Sequence, residues 1–176
     1  LIANGYRVRV LDVLLPQVHG ERDRPPYLNP LVNLIQGDIT NPHVVHAACS
    51  GVDAVCHFAA RVGVDQSMYE IDDYISANDR GTAVLLEALI NQPVERLVVA
   101  SSMSVYGEGM YQAGDGSLVE GKERPFWQLA AGRWEASGPD GEMLRPVPTP
   151  ESKTPSLSSV YALSKFVQEQ MCQIVG

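Results

Sequence analysis

Cysteine is scarce in this 176-residue chain, and the little there is does not pair. Cys49, Cys56 and Cys172 are odd in number and far apart, with no CxxC or CxxH spacing. This excludes a disulfide framework and a zinc knuckle, and it suits a reducing cytoplasm. Basic residues are in deficit: 13 Lys and Arg stand against 21 Asp and Glu, a formal charge of −8. Such a balance argues against nucleic acid and anionic membrane as partners. It leaves room for a small anionic nucleotide held by local backbone dipoles. No apolar run approaches the roughly 20 residues of a membrane span, and the opening residues do not read as a secretory leader. An initiating Met and internal repeats are lacking too. "LIANG" reads as the last turn of a helix with Asn4-Gly5 as its stop, and "QEQMCQIVG" reads as a helix end. The expectation is a piece of a longer protein.

What is present is an ordinary globular composition, 45% apolar, with a repeating rhythm. "YRVRVLD" alternates into a strand over about Arg7 to Leu11, closed by Asp12, and a polar, Pro-rich loop follows. "LVNLIQGD" predicts a second strand ending near Gln36. "PHVVHAACSG" predicts a short helix with Asn41 as N-cap and Gly51 as its stop. "DAVCHFAA" is a third, mostly apolar strand. "YEIDDYISANDRGTAVLLEALINQ" predicts a long helix with Ile75, Ala83, Leu86 and Leu89 on its apolar side. "ERLVVASS" is a fourth strand, and a final helix runs over about Val160 to Ile174. Short apolar strands alternating with helices predict an α/β fold with a parallel sheet covered on both faces. In that architecture ligands lie beyond the carboxyl ends of the strands.

The rhythm breaks between Gly107 and Pro155, a segment rich in Gly, Pro and charge. It holds Phe126, Trp127 and Trp134, more aromatic bulk than a linker usually carries. The expectation is a partly packed insertion or lid over about 108–155.

The strand ends supply the candidate site residues. Asp12 is either an acceptor for both ribose hydroxyls of an adenosine, which would repel a 2′-phosphate and favour NAD over NADP, or a solvated loop carboxylate. Asp38 either faces an adenine or starts the next helix. Phe58, Ala59 and Ala60 either admit a cofactor to the backbone or pack strand against helix, and His57 reads as a satisfied core histidine. Ser101 and Ser102 either bind a substrate hydroxyl or bond their own turn. Tyr161 and Lys165, at i and i+4, share one helix face. A free phenol titrates near 10, and a neighbouring ammonium stabilises the phenolate. The pair is therefore either a proton acceptor with its tuning cation or a surface pair.

Taken in order, "VLD", "QGDI", "HFAA", "N..GT..LLEA" (Asn78, Gly81, Thr82, Leu85 to Ala88), "SSMSVYG" and "YALSK" resemble the extended short-chain dehydrogenase/reductase family, the NAD-dependent epimerase/dehydratases of nucleotide sugars. The resemblance covers almost the whole chain. It implies a Rossmann-like doubly wound parallel sheet, here incomplete, because the family's Gly-rich phosphate loop and first strand would precede Leu1 and its C-terminal substrate part would follow Gly176. That strand is central in the sheet, so its removal would leave two halves unjoined, and the 176 residues alone are expected to bind NAD poorly.

The resemblance further implies NAD as cofactor and a nucleotide sugar as substrate. Asp12 would hold the adenosine ribose, Asp38 and Ile39 would contact adenine, and Phe58, Ala59 and Ala60 would line the cofactor. Ser102 would bind the reacting sugar hydroxyl. Tyr161 would be the general base, and Lys165 would hold the nicotinamide ribose and tune Tyr161. Arg61 to Ser67 would lie near the substrate, and Asn78 would be structural. The implied reaction is 4-epimerisation through transient oxidation at sugar C4. The alternatives are a dehydratase, decarboxylase or oxidoreductase of the same family, or a non-catalytic NAD-binding scaffold. Met103 and Ser104 stand where dehydratases often have acids. The long insertion, with "SVYGEG" and then "PTPE" (Pro148 to Glu151), is similar to a subgroup acting on deoxysugars such as dTDP-rhamnose. Paired cysteines of some such relatives are missing from it, so no metal is expected. A cytoplasmic homodimer, associating through helices that include the Tyr-x3-Lys helix, is implied by analogy.

Overall fold

The structure is a computed structural model describing residues 1–176. It falls into two compact units, the first Leu1–Ser102 with Ser159–Gly176, the second Met103–Ser158.

In the first unit the alternating apolar segments pair in parallel. β1 (Arg9–Asp12) lies beside β2 (Asn33–Gln36), with Arg9 opposite Asn33 and Asp12 opposite Gln36. β3 (Ala54–His57) lies beside β4 (Arg96–Val99), with Ala54 opposite Arg96 and His57 opposite Val99. No ladder joins the two pairs, which form separate two-stranded sheets. This is an incomplete doubly wound α/β sheet of the Rossmann type, in the two halves that the lack of a central strand predicts.

A helical layer holds the pairs. After the single turn α1 (Pro16–His19) come α2 (Pro42–Cys49), α3 (Ile71–Tyr74) and α4 (Gly81–Asn91). Val45 and Cys49 of α2 and Val84, Leu85, Ala88 and Leu89 of α4 form the core. Leu11 of β1, Ile39, Val55 of β3, Val94 and Leu97 of β4 pack against it. Each fully buried Val or Leu contributes roughly 1.5–3 kcal/mol and the partly buried ones less, so both pairs are anchored through the helices. The opposite sheet face is open: Val98, in the middle of β4, is 51% exposed, whereas parallel strands are usually covered on both faces.

The helix ends follow their capping residues. Asn41 accepts from the His43 N–H at 3.1 Å, with Pro42 at the first helical position. The Arg9 guanidinium donates to the Ala48 and Ser50 carbonyls at 2.7 and 2.8 Å, satisfying the C-terminal end of α2 from β1. At Gly81 a Cβ would stand 2.5 Å from Ile39 Cγ2. Glycine lets α4 approach the segment after β2. Between α3 and α4 the expected long helix widens into a π-helical segment, Ile75–Arg80. The last helix, α6 (Val160–Val175), starts at Ser159, whose hydroxyl accepts from the Ala162 N–H at 3.0 Å. No helix is long and apolar enough to cross a membrane.

The expected insertion lies within the second unit, which has its own antiparallel sheet. β5 (Met110–Gln112) is central, between β6 (Leu118–Glu120) and β7 (Arg145–Val147), and α5 (Phe126–Ala130) is a short helix. The aromatic residues that predict its packing do not form its core: Phe126, Trp127 and Trp134 are exposed. Its buried residues are Val105, Ala136 and Leu144, together with two satisfied polar side chains. Gln128 donates to the Glu135 carbonyl at 2.8 Å. Lys153 donates to the Tyr106 carbonyl at 2.9 Å and pairs with Glu120 at 3.6 Å. Trp127 instead carries the Arg133 guanidinium 4.9 Å above its ring.

Candidate active site

Two groups of residues collect at the carboxyl ends of the strands, one on each parallel pair. At the end of β1, Asp12 Oδ1 accepts from the Leu14 N–H at 2.7 Å. Leu14 is thereby held at φ 54, a left-handed conformation that costs a branched residue energy. His19 Nε2 lies 3.8 Å from the same oxygen, and its Nδ1 meets the Tyr27 hydroxyl at 3.0 Å. The Asp12 side chain is nevertheless 42% exposed. The carboxylate is anchored on one side and open to solvent on the other, with acceptor capacity left for a hydroxyl-bearing ligand. Asp38, exposed after β2, spends Oδ1 on the Thr40 N–H at 2.7 Å and its hydroxyl at 2.8 Å. The side chain of Ile39 packs into the core, which leaves its backbone as the part a cofactor could meet. Past β3, Phe58 is 65% exposed while Ala59 and Ala60 are half-buried.

The second group is built on α6. Its first turn is held from both sides: Ser159 caps the Ala162 N–H, and the buried Ser67 hydroxyl accepts the Tyr161 N–H at 3.0 Å. The Tyr161 ring meets the buried Tyr74 ring edge-on, centroids 6.4 Å apart at 86°. Tyr74 donates to the Val62 carbonyl at 2.7 Å, and burial, reinforced by the Glu70 carboxylate, pushes its phenol up. One helical turn beyond Tyr161 lies Lys165, only 2% exposed. Burial pulls its ammonium below the ordinary lysine value.

A polar network surrounds Lys165 in the interior. Lys165 Nζ donates to Gln168 Oε1 at 2.8 Å, and Gln168 Nε2 lies 2.7 Å from Thr82 Oγ1 and 3.1 Å from His57 Nε2. Thr82 also contacts His57 Nε2 at 2.8 Å and donates to the Asn78 carbonyl at 2.5 Å. Asn78, on the π-helical segment, accepts the Arg61 N–H at 2.7 Å and donates to the Arg61 carbonyl at 3.1 Å and to Ser164 Oγ at 2.9 Å. Ser164 donates to the Tyr161 carbonyl at 2.9 Å. His57 is thus a satisfied core histidine, and burial, helped by the Lys165 charge, lowers it to about 4. On the same widened turn Asp79 has Oδ1 shut from solvent without a partner, and burial raises its carboxyl to about 6.

The end of β4 reaches the same helix. Ser101 donates to Glu169 on α6 at 3.1 Å, and Ser102 follows it. Tyr161, Lys165 and the β4 end therefore share α6, while Asp12 stands on the other strand pair. Arg61 bridges to Glu70 and Asp73 at 3.1 and 3.2 Å. The residue that sequence reasoning missed is Gln168. Its signal was a run of polar residues at 161, 164, 165 and 168, one helical face, where an amphipathic helix normally buries apolar ones.

The profile of a family described as the NAD dependent epimerase/dehydratase family matches residues 1–176. A dTDP-L-rhamnose 4-epimerase from Burkholderia thailandensis is 32% identical over 176 residues, covering 97% of this chain and 47% of that protein. A UDP-glucose 4-epimerase from Thermotoga maritima, solved with UDP-glucose, superposes with a TM-score of 0.70 at 24% identity, over 99% of this chain and 45% of that one. A dTDP-glucose 4,6-dehydratase double mutant from Streptomyces venezuelae, solved with NAD bound, superposes with a TM-score of 0.65 at 24% identity, over 98% and 45%. At these identities the solved structures show the fold. The chain spans about half the length of these proteins.

Proposed function

For a chain that belongs to the NAD dependent epimerase/dehydratase family, we propose that the intact protein is a nucleotide-sugar 4-epimerase with Tyr161 as its base. The observation that carries this is the placement of Tyr161 and Lys165 on one face of α6, with the Ser101–Ser102 end of β4 tied to that helix through Glu169. NAD is the cofactor of this reading, and a cytoplasmic homodimer its expected form. Asp12 would hold the adenosine ribose, Asp38 and the backbone of Ile39 the adenine, Phe58 to Ala60 the flank, and Lys165 the nicotinamide ribose.

NAD, when bound, supplies a reversible acceptor for the hydride at sugar C4. Ser102 orients the C4 hydroxyl. Tyr161 takes its proton and later returns it. The Lys165 ammonium, kept out of water, favours the phenolate by charge. The capped first turn of α6 and the edge contact with Tyr74 fix the Tyr161 ring. Met103 and Ser104 provide no acid of the kind that eliminating water needs, which favours epimerisation over dehydration.

The test is Tyr161→Phe in the intact protein, assayed by NMR of dTDP- and UDP-sugars. The expected result is a 4-epimer with wild type and a rate about 10²–10⁴-fold lower with the variant. A wild-type product that is a 4-keto-6-deoxy sugar, or a variant as fast as wild type, would refute the reading.

A further inference from the structure

The Lys165 ammonium has protons to give and no capacity to accept. Almost wholly buried, it has exchanged water for the Oε1 of Gln168 at 2.8 Å. That contact decides which way round the Gln168 amide lies. With its oxygen toward the ammonium, its NH2 must point away, and there it meets Thr82 Oγ1 at 2.7 Å and His57 Nε2 at 3.1 Å. Thr82 gives its one hydroxyl proton to the Asn78 carbonyl, so its oxygen lone pairs are available to the amide. His57 is neutral, because burial and the Lys165 charge hold it at about 4, and its Nε2 either donates to Thr82 Oγ1 at 2.8 Å or accepts from the Gln168 amide at 3.1 Å. The reverse amide orientation would set NH2 against NH3⁺. Gln168, 1% exposed, is therefore clamped from behind by β3 and α4.

We propose that Gln168 is the positioning residue of Lys165, its amide locked by Thr82 and His57 so that the buried ammonium stays charged and fixed for its work on the cofactor ribose and Tyr161. The inference rests on the reading of Lys165 as the ribose ligand. A preorganised active group needs this kind of support from behind. A role in packing alone makes the opposite prediction, because leucine fills nearly the same volume as glutamine while glutamate brings a buried charge.

The experiment compares Gln168→Leu and Gln168→Glu in the intact protein by two readouts. The first needs no cofactor: NMR titration of the Lys165 side chain in lysine-labelled protein, assigned with Lys165→Met. Loss of the acceptor in Gln168→Leu shifts the titration to lower pH, and the carboxylate of Gln168→Glu shifts it to higher pH. The second is NAD affinity by calorimetry. It falls 10-fold or more in Gln168→Leu, the cost of a lost hydrogen bond to a charged group, and falls less in Gln168→Glu, which keeps the acceptor for Lys165 but faces Thr82 and His57 without the amide protons. Should Gln168→Leu not fold, Thr82→Val and Thr82→Ser take its place. Valine lowers NAD affinity several-fold and serine restores it. Unchanged lysine titration in both Gln168 variants, or affinity kept by leucine and lost with glutamate, would overturn the proposal, as would Thr82→Val binding like wild type. A wild-type protein that binds no NAD would instead defeat the reading of Lys165, while the Gln168 contact would still be decided by the titration.

Discussion

Replacing Asn78 with leucine tests the joint between the exit of β3 and helix α6. Leucine keeps the branching of asparagine and opens no cavity, and its larger methyl groups add some overpacking to the loss of hydrogen bonding. Three bonds disappear: the Arg61 N–H at 2.7 Å, the Arg61 carbonyl at 3.1 Å and Ser164 Oγ at 2.9 Å. The two Arg61 groups are half-buried, and water can replace part of what they lose. Ser164 is fully buried, but it keeps its own donation to the Tyr161 carbonyl. At about 1 kcal/mol per bond, and up to about 3 for a group left buried without a partner, the loss comes to about 3–5 kcal/mol. With a slope of about 2–3 kcal/mol/M, the urea midpoint of the intact protein falls by roughly 1–2 M. Circular dichroism across a urea series measures it. A loss below about 1 kcal/mol with an unchanged slope would refute the claim that Asn78 clamps the β3 exit to the helix carrying Tyr161.

Two further outcomes follow from the same interior. His57 titrates at about 4 when folded against an ordinary 6.5, so the unfolded chain binds a proton that the folded chain refuses. The stability contribution is complete above about pH 6.5 and is lost as pH falls toward 4, by up to about 3 kcal/mol. His57→Gln flattens that slope in urea midpoints measured against pH, and an unchanged slope would contradict the origin assigned here. Gly81→Ala drives a methyl to 2.5 Å from Ile39 Cγ2. It should cost about 1–3 kcal/mol, read as a lower thermal midpoint, and Ile39→Leu in the same chain, which lacks the Cγ2 branch, should recover part of it. Full stability of Gly81→Ala alone would show that Ile39 is not held against α4.

Much of this molecule is local and therefore legible in its amino-acid order. Alternating apolar residues set β1 to β4, and Asn41-Pro42 and Ser159 set the starts of α2 and α6, because strand pleat and helix capping depend on neighbours in the chain. The i, i+4 spacing of Tyr161 and Lys165 placed them on one face for the same reason. Strand bounds were less legible: β1 runs Arg9–Asp12 rather than from Arg7 to Leu11, and β3 stops at His57, short of the apolar run that continues to Ala60. A ladder ends where its partner ends, and the partner is distant in sequence.

What only the tertiary structure decided is the set of contacts between residues far apart. Nothing near Gln168 in the chain announces Thr82 and His57, which lie 86 and 111 positions away and meet it because α4, β3 and α6 pack together. The widened turn at Ile75–Arg80 aims Asn78 at both Arg61 and Ser164, a demand set by two other elements rather than by helix propensity. Ile39 turns its side chain into the core because Gly81 leaves room there. Trp127 and Trp134 stay exposed because smaller residues and the satisfied Gln128 and Lys153 fill the interior of their unit. Order along the chain determined which chemical groups are available. Burial, which removes water and makes each remaining hydrogen bond count, determined that Lys165 is held by an amide and His57 is kept neutral.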